Sequence, residues 1–137
     1  MPLLKSGDDG NMVADRAHFD LTLESADSER QKPWPSGIYA KTLYKKQDFR
    51  AVLISMEAGA RMKEHHVDGT SSVQMLRGHI RYSAEGQTYD LEAMSLLTVG
   101  ASIKHDVEAI APSVFLLTIS WPANQQLLAM QHRGYGS

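Results

Sequence analysis

From Ile38 to Pro122 the chain is a succession of short apolar or alternating segments, each closed by glycine, proline or a polar cluster. "IYAKTLYKK" and "FRAVLISMEAG" come first, separated by "KQD", and read as a hairpin. "GARMKEHHVDG", "SSVQMLRGHIRYSA", "QTYDLEA", "SLLTVG", "ASIKHDVEAIAP" and "SVFLLTISWP" follow, with "EG" at 85–86 as a second tight turn. Many short strands at close spacing can bury their apolar faces only against one another. The pattern predicts an all-β sandwich or barrel over residues 38–121.

The flanks are less regular. "AHFDLTL" at 17–23 alternates enough to predict a short strand. "ESADSERQKPWPSG" at 24–37 is polar and contains Pro33 and Pro35, so it reads as a surface loop anchored by Trp34. Residues 1–37 are thus expected to form an N-terminal arm and loop. In the tail, 122–137, "NQQLLAMQ" at 124–131 predicts a short helix with Asn124 as its cap.

Composition excludes several classes. A chain of 137 residues fits one domain with one proper core. The formal net charge of -2 argues against a general nucleic-acid binder. There is no cysteine, so disulfides, thiolate nucleophiles and cysteine metal sites are ruled out. No apolar run suits a signal peptide or a membrane span, and a cytoplasmic location is expected.

The chemistry-bearing stretch is Gly59–Tyr82, with His65 and His66 adjacent. Neighbours on a strand face opposite ways, so the two cannot both point into a barrel. If His65 points in, Val67 joins it. If His66 points in, Asp68 joins it, with Gln74 or His79 as further donors. A one-residue slip exchanges these sets. "GARMKEHHVD" at Gly59 and "GASIKHDVE" at Gly100 echo each other, each delivering a histidine, His65 and His105. Met75, His79 and Tyr82 are candidates for contact with a small molecule. "RGHIR", with Arg77 and Arg81, suits an anion, or else an outer strand face. Met56, Met62, Met75 and Met94 read as core filler, and Tyr82, Tyr89 and Phe115 as core or cavity lining.

Over residues 38–120 this pattern resembles the small single-domain cupins. Their first motif runs Gly, five residues, His-x-His, three or four residues, Glu, six residues, Gly. Here Gly59 and "ARMKE" lead to His65, and "VQMLRG" closes on Gly78. In the second motif, "MSLLTVGASIKH" sets His105 on the histidine. The chain departs from the motifs at Val67 and Ser71, in place of the second His and the Glu. It departs again at Met94, Gly100 and Ser102, in place of Gly-Pro-Gly. The resemblance implies a cupin-like β-barrel (a double-stranded β-helix) with a degenerate metal motif. It implies a divalent metal (Zn, Fe, Mn or Ni) on His65 and His105, or in the other register on His66, Asp68 and Gln74. It also implies a homodimer, for which a face carrying Val73 and Leu76 is available. Three functions stay open: small-molecule binding, a metal-dependent enzyme of dioxygenase or isomerase type, and a metal-free structural or regulatory dimer.

Overall fold

A computed structural model describes residues 15–122, and the helix expected at 124–131 lies outside them. The chain forms α1 (Leu21–Arg30), a single 3-10 turn (Pro35–Gly37), and nine strands. These are β1 (Ile38–Lys45), β2 (Phe49–Met56), β3 (Arg61–His65), β4 (Thr70–Arg77), β5 (His79–Ala84), β6 (Gln87–Glu92), β7 (Leu96–Val99), β8 (His105–Ala109) and β9 (Ser113–Ser120). They make a five-stranded sheet in the order β1-β2-β9-β4-β7 and a four-stranded sheet in the order β3-β8-β5-β6. Every pairing is antiparallel.

Alternation decides which residues fill the space between the sheets. On β4 the inward positions are Ser71, Val73 and Met75; on β8 they are His105, Val107 and Ala109. Ile54, Met56, Ile80, Tyr82, Leu91, Val99 and Phe115 complete one continuous core drawn from both sheets. Val73, expected on an exposed face, is therefore a core residue at 2% exposure, and Leu76 packs with Leu43, Leu53 and Val114 on the other side of the larger sheet. Among the methionines, Met56 and Met75 are buried, but Met94 stands in solvent at 94% exposure. Tyr89 also lies partly in solvent, with its hydroxyl donating to Gln87 Oε1 at 2.6 Å.

The stretch read as one strand, "SSVQMLRGHIRYSA", is two. Gly78 breaks it with φ 94° and passes the chain from the larger sheet to the smaller. A Cβ here would collide with the Pro112 carbonyl oxygen and Ser113 Oγ, so only glycine fits the crossing. The turn at Glu85–Gly86 has positive φ at both residues, the arrangement that matches strand twist in a two-residue hairpin.

The N-terminal flank corrects two expectations. Residues 17–23 are not a strand, and 24–37 is not a loop throughout, because α1 occupies Leu21–Arg30. Asp20 caps it, accepting from the backbone N–H of Thr22 at 3.0 Å and of Leu23 at 3.2 Å. The alternation of Phe19, Leu21 and Leu23 imitated a strand, yet Leu23 is exposed. The helix buries two small polar residues, Ser25 and Ser28, instead of an apolar stripe. It is held by polar ties: Lys41 Nζ to Glu24 at 2.6 Å and to Asp27 at 3.4 Å, and Arg77 Nη1 to Ser25 Oγ at 3.1 Å. Trp34 is buried as expected, its indole N–H donating to the Ser28 carbonyl at 2.9 Å. No helix among the described residues is long and apolar enough to cross a membrane.

Candidate functional site

Chain connectivity brings the ends of the two sheets together. β3 ends at His65 and the chain re-enters the larger sheet at Thr70; β7 ends at Val99 and the chain re-enters the smaller sheet at His105. The two connecting loops are tied by a hydrogen bond from Ser102 N–H to the Val67 carbonyl, 2.8 Å. This end of the barrel, the mouth, therefore gathers the first residue of β8, the last of β3 and the inward positions near the start of β4.

His105 is buried on the inner wall at 7% exposure. Its ring stacks on Tyr82, centroids 4.8 Å apart and planes 16° from parallel. Its Nδ1 lies 3.0 Å from the Ile103 carbonyl. A carbonyl only accepts, so Nδ1 carries the hydrogen, and in the neutral ring the lone pair sits on Nε2. Burial pushes the Tyr82 phenol up to about 12, because its ionised form would lose hydration. Tyr82 thus presents a neutral ring face to the imidazole.

β3 and β8 pair so that His65 stands directly opposite His105. The ladder shifts between Met62 and His65, where three steps on β3 match two on β8. That bulge inserts one residue and reverses the phase of alternation. Without the bulge Glu64 would stand opposite His105, and the extra residue sets His65 there instead. The sequence echo is used in opposite senses. "RMKEH" is strand up to its histidine, whereas "ASIK" is turn and the strand begins at His105.

The other candidates lie elsewhere. His66 is exposed beyond the end of β3, its Nε2 4.0 Å from Asp68 Oδ1, and both side chains face solvent. Gln74 is exposed because Val73 and Met75 take the inward positions around it. The set His66, Asp68 and Gln74 is thus not brought together with His105. Met75 is in the core, four residues deeper along β4 than Ser71, or about 13 Å at ~3.3 Å per residue. His79 is on the outer face of the smaller sheet, where its Nε2 and Arg81 Nε both meet Asp90 Oδ1, at 2.9 and 3.1 Å. Those two hydrogen bonds, His79's first, hold the Asp90 carboxyl below its usual range. The anion expected for "RGHIR" is thus a residue of this chain.

Two inward positions of the mouth stand outside the expected ligand sets. Ser71, which replaces the motif's glutamate, is buried at 3% exposure. Arg50 of β2 shares the inward phase of Val52 and Ile54 and pairs with Ile119, which pairs in turn with Ser71. Its guanidinium lies over the Trp121 ring, 5.2 Å from the centroid. Its Nε is buried without an acceptor, a deficit of about 1–3 kcal/mol for a donor cut off from water. The signal was legible: Arg50 is the one charge among the inward positions of "FRAVLISM".

Among the described residues, no three His, Asp or Glu side chains converge to hold a metal. The motif positions filled by Val67 and Ser71 offer no anionic donor. Among the described residues the donors fall short of the three or four that zinc commonly takes.

The chain matches no protein-family model and no curated protein. Its likeness is to solved structures. A conserved protein of unknown function from Streptococcus pyogenes superposes with a TM-score of 0.65 at 21% identity, covering 81% of this chain and 95% of that one. A cupin superfamily protein from Desulfitobacterium hafniense gives 0.63 at 17%, covering 69% and 86%. An RmlC-like cupin from Shewanella frigidimarina gives 0.61 at 18%, covering 66% and 82%. The fold is that of a small cupin-type β-barrel domain.

Proposed function

We propose that this protein binds a small molecule at the barrel mouth against His105 and Tyr82. The stacked pair carries the reading. It presents a buried imidazole of defined tautomer on an aromatic wall, at the end where both sheets open into loops. Such a wall combines apolar contact with one directed polar group, the usual make-up of a small-molecule site. Thermal unfolding against a panel of carboxylates, sugars and aromatic compounds tests it. A ligand present at about 100 times its Kd stabilises the folded state by ~2.7 kcal/mol. At least one class should raise the midpoint of the native chain, with a smaller rise for His105→Gln. A flat response to the whole panel overturns the reading.

A second reading is favoured by the register that sets His65 opposite His105. In it the two histidines hold a divalent ion (zinc, iron, manganese or nickel), and water or the ligand's oxygens complete the shell. A bound ion would supply Lewis-acid polarisation of that ligand. Elemental analysis after loading with each metal, beside His65→Ala and His105→Ala, checks it. A stoichiometric metal lost in both variants is expected. Equal metal content in all three proteins rejects this pair as ligands.

A further inference from the structure

We propose that the ligand of the barrel mouth is a monocarboxylate with an apolar body, and that Arg50 anchors its carboxylate. The inference rests on the small-molecule reading above and names the chemical class. Arg50, Ile119, Ser71 and Val99 form one row across the larger sheet, paired strand to strand. Ile119, Ser71 and Val99 are buried on the inner face, and the row lies at the end where β7 leads to His105. On the β1 side Arg50 pairs with the exposed Lys45, and its buried neighbours in that row are all apolar or a hydroxyl.

A guanidinium cannot shed its proton at any ordinary pH, so its charge stays in this wall. Among the described residues no carboxylate pairs with it and none accepts a hydrogen bond from Nε. The other arginines of the described strands differ: Arg61 meets Asp106, Arg77 meets Glu29 and Arg81 meets Asp90. The Trp121 ring stabilises the flat face of the Arg50 cation but leaves Nε, whose N–H lies in the guanidinium plane, unserved. A planar donor fork beside an aromatic ring matches a carboxylate with an apolar substituent.

The test compares acetate and benzoate with acetamide and benzamide, and with inorganic phosphate, on the full chain. Calorimetry gives the affinities, and the Nε–Hε resonance of Arg50, assigned with Arg50→Lys, reports the contact. Benzoate should bind more tightly than benzamide, shift the Arg50 resonance saturably, and lose about tenfold or more in affinity in Arg50→Gln. Equal binding of acid and amide, unchanged in Arg50→Gln, overturns the carboxylate assignment and leaves the small-molecule reading standing. Preference for phosphate overturns the class. An Arg50 resonance that benzoate leaves unmoved also overturns it. Failure of every compound to bind in the panel above and here overturns both readings together.

Discussion

Met94 and Ser102 hold φ of 73° and 66°, at the two places where the resembled motif has glycine. The backbone of that motif is kept while its residues have changed. A side chain in the left-handed region costs roughly 1–2 kcal/mol, and glycine avoids this while losing about 0.5–1 kcal/mol more chain entropy on folding. Met94 has almost no packing to lose, being nearly fully exposed, and its N–H bond to the Met75 carbonyl at 3.2 Å does not depend on the side chain. Met94→Gly should therefore stabilise the fold by about 0.5–1 kcal/mol. In urea the midpoint should rise at constant slope, and Met94→Val should move it the other way. A midpoint unchanged in both variants would mean that this turn carries no conformational strain. The motif comparison pointed to these residues from sequence, but only as absences. That they keep the glycine backbone is a property of the turns, which residue names do not show.

α1 shows where an element escapes its own sequence. Its apolar residues sit at alternate positions before and within its first turn, and its buried face is serine. Helical periodicity is read from apolar side chains, so a helix attached through Ser25, Ser28 and charged ties gives that reading nothing to find. The cap was the available signal, since Asp20 precedes a stretch with Glu24 in the first turn and Arg30 in the last. The strands, by contrast, were legible because each buries one face, and Gly78 was the only strand boundary inside an apolar run that the reading passed over. The bulge in β3 was beyond it, because one extra residue leaves no compositional mark, and that bulge is what sets His65 opposite His105. If α1 is held by polar ties, its cap matters more than its apolar content. Asp20→Ala should cost about 1 kcal/mol in urea unfolding, and Asp20→Asn should cost much less because the amide oxygen still accepts. Equal losses in both would place the effect in charge at the helix start and not in the cap.

The whole molecule has two unlike outer faces around one core. The larger sheet is covered by α1 over Leu43, Leu53 and Val114; the smaller sheet faces solvent with His79, Arg81 and Asp90. Charge on the open face acts weakly, being hydrated and screened. Lowering of the Asp90 pKa contributes stability above the unfolded carboxyl value, lost as pH falls through the folded one. The alkaline side is governed from inside. Tyr82 has its folded pKa raised to about 12 by burial, so the folded state keeps a proton that the unfolded chain releases near pH 10. Between these values the unfolded state binds fewer protons, and stability must fall as pH rises. The Lys41 pKa is raised as well, first by its hydrogen bond to Glu24, and its contribution is likewise lost as pH rises through the folded value. The two are separable with Tyr82→Phe, which keeps the ring against His105 and removes the titrating oxygen. Unfolding free energy measured in urea from pH 8 to 12 should decline less steeply in Tyr82→Phe than in the native chain (pH range spanning the ordinary tyrosine value of about 10). The absorbance of ionised tyrosinate should meanwhile show one phenol titrating late in the folded native protein and absent from the variant. Parallel declines would assign the alkaline limit to Lys41 and the helix it holds, leaving Tyr82 as a wall of the mouth without influence on the stability of the barrel.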